Sequence, residues 1–308
     1  MSSNTPKVGI ILVNYNGTQD SLECLASLAK ITYPNYMVVV VDNASTDTHY
    51  VLERIHREFP LVQTIPVSEN LGFAGGNNVG IKTALAESAE YVLLLNNDTV
   101  VAPDFVDKLV AAAESDAAIG MVGAKTYYFS ERETIWFDGA DFSWRQGGKH
   151  THDGVVDINP SDATIRETTY VTGCTLLVKK EVVEKIGLLS EDFFMYYEDI
   201  DWSLHATKAG YKIVVAPASH VWHKVSRSAV KMGRPRIHYY HARNALILTK
   251  RNAPFLTRLG VYAWSVWHFK KQIIKIAIFP SSRPIARAIL RGILDFYRGK
   301  FGKTEAPL

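Results

Sequence analysis

The chain has only two cysteines, Cys24 and Cys174, in 308 residues. That scarcity excludes a disulfide-stapled scaffold and suits a reducing compartment; a single bridge is permitted but not required. An uninterrupted apolar stretch of about 18 residues, the length a membrane helix needs, is also missing. The nearest approach, Leu259 to Phe279, is broken by Lys270, Lys271 and Lys275, so no membrane span is expected. The opening run Val8 to Val13 is too short for a signal-peptide core and reads as a buried strand. With 47% hydrophobic and 21% charged residues, the composition excludes intrinsic disorder. It allows one large domain, alone or with an appendage.

Acidic residues are nearly missing from one end. Residues 224–308 carry 18 Lys and Arg against 2 Asp and Glu, whereas residues 1–223 carry 16 against 29. The net charge of +3 describes neither part. A tail this basic is expected to seek a polyanion, nucleic acid or an anionic membrane leaflet, while the acidic body repels both. The boundary is expected at about residue 224, between a main domain (1–223) and a basic helical C-terminal region (224–308). In the last helix candidate Arg283, Arg287, Arg291 and Asp295 recur every four residues, with Ile285, Ile289, Leu290, Ile293 and Phe296 on the other side. A basic amphipathic helix of this kind lies in a membrane interface, and Trp264 and Trp267 add interfacial residues upstream. The alternative is a helix that packs its apolar side on the main domain.

From Val8 to Ser115, continuously apolar runs such as VGIILV, YMVVVVD and YVLLLNND alternate with helix-like stretches. This pattern predicts an α/β fold, a mostly parallel sheet buried on both faces by helices. The middle, Met121 to Val178, reads as mixed strands and long loops. Glu181 to Ile186 and Glu198 to Ala209 read as helices, and Val214 to Val215 as a short strand ending at Pro217. Ligands of such sheets collect beyond the carboxyl ends of the strands. The residues of interest are therefore Asn14 to Gly17, Asp42 to Asp47, Glu69 to Asn78 and Asn96 to Thr99.

A lone Asp after a strand is usually a turn former, but Asp42 and Asp98 follow two different strands and arrive at one sheet edge. The glycines of Asn70-Leu71-Gly72-Phe73-Ala74-Gly75-Gly76-Asn77-Asn78 precede a helix pattern, where backbone N–H groups can approach phosphate. They match neither the P-loop nor the dinucleotide fingerprint, and a tight structural turn explains them equally. Glu198-Asp199-Ile200-Asp201 could be a solvated helix start. Its neighbours Phe193, Phe194, Tyr196, Tyr197 and Trp202 are aromatic, and a partly desolvated carboxylate suits a general base.

In order, Val13-Asn14-Tyr15-Asn16, Val41 to Asp47, Asn70 to Asn78, Asn96-Asn97-Asp98-Thr99, Thr172-Gly173-Cys174, Tyr197 to Trp202 and His220-Val221-Trp222-His223 resemble family 2 glycosyltransferases of the GT-A fold. Within that family the chain is most similar to the rhamnosyltransferase-like branch, helped by His238-Tyr239-Tyr240 and Arg243-Asn244. The resemblance implies a nucleotide-binding half (about 1–115) and an acceptor half (about 116–223). It implies that Asp42 holds the nucleotide base, with Asn14, Asn16, Asn70, Gly75, Asn77, Asn97 and Asp98 around the nucleotide sugar. It implies Mg²⁺ or Mn²⁺ on Asp98 and His223, although the first position of the usual Asp-x-Asp motif is Asn96 here. Hard divalent ions often use few carboxylates plus substrate phosphates, and an imidazole favours Mn²⁺. Asp199 is implied as the base, Asp201 as structural, and Gly173, Cys174, Glu198 and Trp202 as acceptor contacts.

The expected reaction is inverting transfer, with dTDP-L-rhamnose as donor and UDP-galactose or UDP-GlcNAc as open alternatives. The acceptor is expected to be a lipid-linked or cell-surface glycan, met at the cytoplasmic face of the membrane. Nucleotidyl transfer would need Arg and Lys in a glycine-rich loop after the first strand, where Asn14-Tyr15-Asn16-Gly17 stands instead. A nucleic-acid-binding protein would leave Asp42, Asp98 and Asp199 without a role, so no nucleic-acid partner is expected. Oligomeric state is not legible in the sequence.

Overall fold

A computed structural model describes residues 5–144, 147–225 and 233–304. The apolar runs form β1 (Val8–Asn14), β2 (Tyr36–Asp42), β3 (Gln63–Pro66) and β4 (Tyr91–Leu95). Between and after them lie α1 (Thr18–Leu28), α2 (Thr48–Glu58), α3 (Gly72–Ala86), β5 (Thr99–Val101) and α4 (Phe105–Glu114). The second half contributes β6 (Ile119–Tyr128), β7 (Ile135–Phe137), β8 (Ala140–Ser143), β9 (Gly147–His150), β10 (Arg166–Glu167), β11 (Thr175–Lys179), α5 (Lys180–Ile186), α6 (Glu198–Lys208) and β12 (Lys212–His223).

Among the described residues the main sheet has ten strands, ordered β10-β12-β6-β11-β4-β1-β2-β3, with β5 on β12 and β7 on β6. Strands β3, β2, β1, β4, β6 and β12 run one way, and β11 is inserted antiparallel between β4 and β6. Because side chains alternate across a strand, β1 sends Val8, Ile10 and Leu12 to one core and Ile11 to the other. The first core lies under α1, α2 and α4; the second lies under α3, α5 and α6.

Two elements differ from expectation. Helix α3 begins at Gly72, so Gly75 and Gly76 lie inside it and do not form a loop ahead of it. They serve close packing: a Cβ on Gly76 would fall 2.8 Å from Val13, and one on Gly80 would fall 2.3 Å from Ile11. Strand β12 does not end at Pro217 but continues to His223. Its pairing with β6 slips between Ala216 and His220, and a proline is tolerated at such a bulge because no ladder hydrogen bond is asked of it.

The basic region is helical, as expected, with α7 (Arg234–Asn252), α8 (Phe255–Ile278) and α9 (Arg283–Tyr297). It is built into the body: Leu246, Ile247, Leu248, Ile293 and Phe296 belong to the second core. The last helix does not lay its apolar side in a membrane interface, because that side of α9 is used inside the protein. Ala286, Ala288, Ile293 and Phe296 are buried, and a Cβ on Gly292 would fall 2.5 Å from the Tyr239 carbonyl. Among the described residues no helix is long and apolar enough to cross a membrane.

Candidate active site

The carboxyl ends of β1, β2 and β4 converge because they are neighbours in the sheet. Asn14, the last residue of β1, donates from Nδ2 to Asp42 Oδ1 at 2.8 Å and to Ser45 Oγ at 3.1 Å. Its Oδ1 accepts from Ser21 Oγ at 2.9 Å and from Asn97 Nδ2 at 3.3 Å. Asn16 ties the same loops together, accepting from the Thr46 backbone N–H at 2.8 Å and donating its own backbone N–H to Ser45 Oγ at 2.9 Å. Asp42 is 0% exposed. Besides Asn14 it accepts from the Ser45 hydroxyl at 2.6 Å, the Ser45 backbone N–H at 3.2 Å and the Thr48 hydroxyl at 2.5 Å. The structure thus sets Asp42 beneath the loops it organises rather than on their surface.

Asn70 and Asn43 close the next turn. Asn70 Oδ1 accepts from the Gly72 backbone N–H at 2.8 Å and from Asn43 Nδ2 at 3.2 Å, while Asn43 Oδ1 accepts from the Leu71 N–H at 2.9 Å. Gly72 takes φ +72°, and a Cβ there would meet the Phe194 carbonyl at 2.2 Å, so only glycine fits. Asn77 is buried and donates to the Phe73 carbonyl within its own helix. Asn78 reaches across to the Leu189 backbone and to Glu191. Gly75 and Asn77 therefore shape the packing of α3.

Asp98 and His223 do meet. His223 Nε2 lies 3.1 Å from Asp98 Oδ1, because antiparallel β5 and β12 pair Thr99 with His223. Burial opposes the charge on Asp98, but the adjoining imidazole holds its carboxyl below the usual range. Burial alone would lower His223; Cys174 and Asp98 beside it instead raise it to about 10. A proton on His223 thus occupies the place of a positive ion. Asn96 Nδ2 stands 3.4 Å from Nε2, and the Cys174 thiol lies beside the same ring. One carboxylate and one imidazole suit a Mn²⁺-type ion completed by phosphate oxygens and water. Among the described residues no group of three or more His, Cys, Asp or Glu gathers as a closed metal cage.

Asp199 sits in the first turn of α6 and accepts from the Gly173 N–H at 3.0 Å and the Ile200 N–H at 2.8 Å. Burial pushes its carboxyl up despite those two donors. Burial, with the charge of Asp199, pushes Glu198 well above the ordinary range, and Glu198 Oε2 has no partner. The two halves of the site are joined at Gly173 and Cys174: the Asn96 N–H donates to the Cys174 carbonyl at 2.9 Å while Gly173 holds Asp199. Both cysteines are free, and Cys174 is buried. Trp202, expected at the acceptor, is 1% exposed and donates its indole N–H to the Gly187 carbonyl, so it fills the core. Asp201 is structural as expected, clamped by Arg251 at 3.0 Å and Asn252 at 2.5 Å.

The loop that delivers Glu198 and Asp199 is strained. Phe194, Tyr196 and Tyr197 adopt φ of 64°, 66° and 78°, a region that costs non-glycine residues energy. It is held from α7. Asn244, 0% exposed, donates Nδ2 to the carbonyls of Phe193 (2.9 Å), Met195 (2.7 Å) and Tyr196 (3.0 Å). Arg243 donates to the Phe193 carbonyl at 3.1 Å and from Nε to Asn244 Oδ1 at 3.0 Å, and His241 stacks on Tyr196. In the sequence Arg243-Asn244 supported only a branch resemblance, without a role. Trp136 and His150 were missed outright. The Trp136 ring meets both His223 (4.5 Å between centroids) and His150 (5.0 Å) edge to face.

The profile of the glycosyltransferase-like family 2 matches residues 6–235. A dTDP-rhamnosyl transferase, RfbF of Shigella flexneri, is 24% identical over 278 residues, 87% of this chain and 88% of that protein. The N-acetylglucosaminyl-diphospho-decaprenol L-rhamnosyltransferase of Mycobacterium tuberculosis is 25% identical over 274 residues, 81% of this chain and 86% of that one. Among solved structures, the mannosyltransferase PcManGT of Pyrobaculum calidifontis, in complex with GDP-Man and Mn²⁺, superimposes with a TM-score of 0.59 at 18% identity. That superposition covers 97% of this chain and 89% of that one, and the shared architecture is the GT-A fold.

Proposed function

The chain belongs to the glycosyltransferase-like family 2, and from that premise we propose that it transfers L-rhamnose from dTDP-L-rhamnose to a hydroxyl of a lipid-linked or cell-surface glycan. The observation that carries this reading is the pair Gly173–Cys174: the Gly173 N–H holds Asp199, while the Cys174 carbonyl accepts from Asn96, two residues before Asp98, and its thiol lies beside His223. Rhamnose is favoured because two relatives aligned along most of their length carry rhamnosyl transfer in their names.

Asp199 takes the proton of the acceptor hydroxyl, and that oxygen attacks the anomeric carbon from the face opposite the diphosphate. The bond from that carbon to the diphosphate oxygen breaks as the new one forms, so the configuration inverts and no covalent enzyme intermediate is needed. Asp98 and His223 would hold Mn²⁺ or Mg²⁺, which when bound neutralises charge on the departing diphosphate. Burial and the charge of Asp199 push the Glu198 carboxyl up, and a proton held there would offer a hydrogen bond to the acceptor. Asp42 acts through the loops it braces, which present the nucleotide base with its pocket. Cys174 acts by placing its neighbours, its thiol lying beside His223. The reaction takes place at the cytoplasmic leaflet, where a lipid-linked acceptor stands.

The test supplies dTDP-L-rhamnose, UDP-galactose or UDP-GlcNAc, with and without Mn²⁺, to the enzyme and a short-chain pyrophosphoryl-lipid sugar. Metal-dependent release of dTDP with an inverted product is expected. Turnover of a UDP-sugar instead would reassign the donor, and retention of configuration would remove Asp199 as the base of a single displacement.

A further inference from the structure

Helix α8 packs Val261, Tyr262 and Phe269 on the second core, yet it also buries polar side chains and leaves a row of apolar ones outside. Its inward side carries Ser265 and Gln272, each 1% exposed, with the Ser265 hydroxyl 2.7 Å from the Tyr297 hydroxyl and Gln272 Nε2 3.0 Å from His268. Its outward side carries Leu256, Leu259, Trp267, Ile274 and Ile278, all half exposed or more and recurring at helical spacing. A helix facing solvent places its polar residues outward, so this surface is made for a partner. We propose that the outward face of α8 is the surface by which the protein docks on an anionic phospholipid bilayer.

The charge on the helix selects that occupant. Lys270, Lys271 and Lys275 lie among the apolar residues, and α8 contains no acidic residue. Lys271 Nζ sits 5.2 Å from the Trp267 ring centroid, which places a cation and an indole side by side at one depth. Basic residues interleaved with Trp and Ile match an interface of lipid phosphates over acyl chains. A second copy of the chain would set three cations against three with no carboxylate between them, a repulsive pairing. Helix α9 cannot serve this purpose because its apolar side is already buried against the body. The purpose of the surface rests on the proposed transfer to a lipid-linked acceptor; its geometry does not.

Cosedimentation of the full chain with vesicles of equal parts phosphatidylglycerol and phosphatidylcholine tests the surface, alongside transfer to a water-soluble acceptor. Wild type is expected in the pellet, and pure phosphatidylcholine vesicles are expected to hold it less. The double variant Trp267→Glu with Ile274→Glu is expected to lose about tenfold or more in vesicle partitioning while transferring to the soluble acceptor at the wild-type rate. Undiminished vesicle binding by the double variant, or no binding by wild type, overturns the proposal. So does gel filtration showing a wild-type dimer that the double variant breaks while vesicles bind neither. Vesicle binding without any sugar transfer would leave the surface standing and sink the proposed reaction instead.

Discussion

Replacing Asn244 by alanine separates positioning of the base from binding of the donor. The substitution strips three buried carbonyls, those of Phe193, Met195 and Tyr196, of their shared donor, and it removes the acceptor of Arg243 Nε. Two buried amide protons lost, at about 1–3 kcal/mol for each uncompensated group, amount to a cost of roughly 2–6 kcal/mol. The three left-handed residues Phe194, Tyr196 and Tyr197 store strain of about 1 kcal/mol or more each. Brace and strain are therefore similar in size, and without the brace the loop relaxes. A displacement of about 1 Å at a catalytic group costs roughly 100-fold in rate, so kcat for Asn244→Ala is expected to fall about 100-fold. Affinity for dTDP is expected to stay at the wild-type value, because Asn14, Asn97 and Asp98 stand on strand ends that Asn244 does not touch. Single-turnover kinetics, dTDP calorimetry and a thermal melt read the three quantities separately. A lowered Tm with unchanged kcat would show that α7 holds the fold but not the base, and refute the reasoning.

Glu198→Gln is expected to raise Tm at neutral pH while lowering kcat. The raised folded pKa of Glu198 means the native state holds a proton the unfolded chain releases, so stability falls as pH climbs from the ordinary glutamate value toward the raised one. The gain in Tm should therefore vanish in melts run below about pH 4, where both states are protonated. For wild type, kcat is expected to rise with pH along an acid limb above the ordinary aspartate range, as the raised pKa of Asp199 requires; a limb at the ordinary value would contradict it. Asp98→Ala is expected to abolish the Mn²⁺ dependence of dTDP binding in calorimetry, whereas undiminished metal dependence would move the ion elsewhere. Gly76→Val is expected to cost about 1–3 kcal/mol in denaturant melts, since even a Cβ there falls 2.8 Å from Val13.

The parallel half of the sheet was legible because β1, β2 and β4 are unbroken apolar runs, a pattern a doubly covered sheet requires. The start of α3 was not, since Gly72, Gly75 and Gly76 are poor helix formers and are used because neighbouring backbone and Val13 leave no space for a side chain. Strand β12 was read short because Pro217 ends most strands, and only the pairing slip shows where the chain absorbs it. Asp98, His223 and Asp199 could be found from motif order, but the work of Asn244 could not. Its partners lie about 50 residues away, and a carbonyl acceptor leaves no mark in side-chain identity. Patterning gives α9 an apolar side correctly, yet periodicity does not say whether protein or lipid covers it.

Asp199→Asn tests the central assignment most directly, measured as single-turnover sugar transfer together with dTDP binding in Mn²⁺ on the same preparation. Loss of transfer by about 1,000-fold or more, within the range a positioned general base supplies with its geometry, is expected with dTDP affinity unchanged. Transfer that survives the substitution would place the base on another residue and contradict the mechanism.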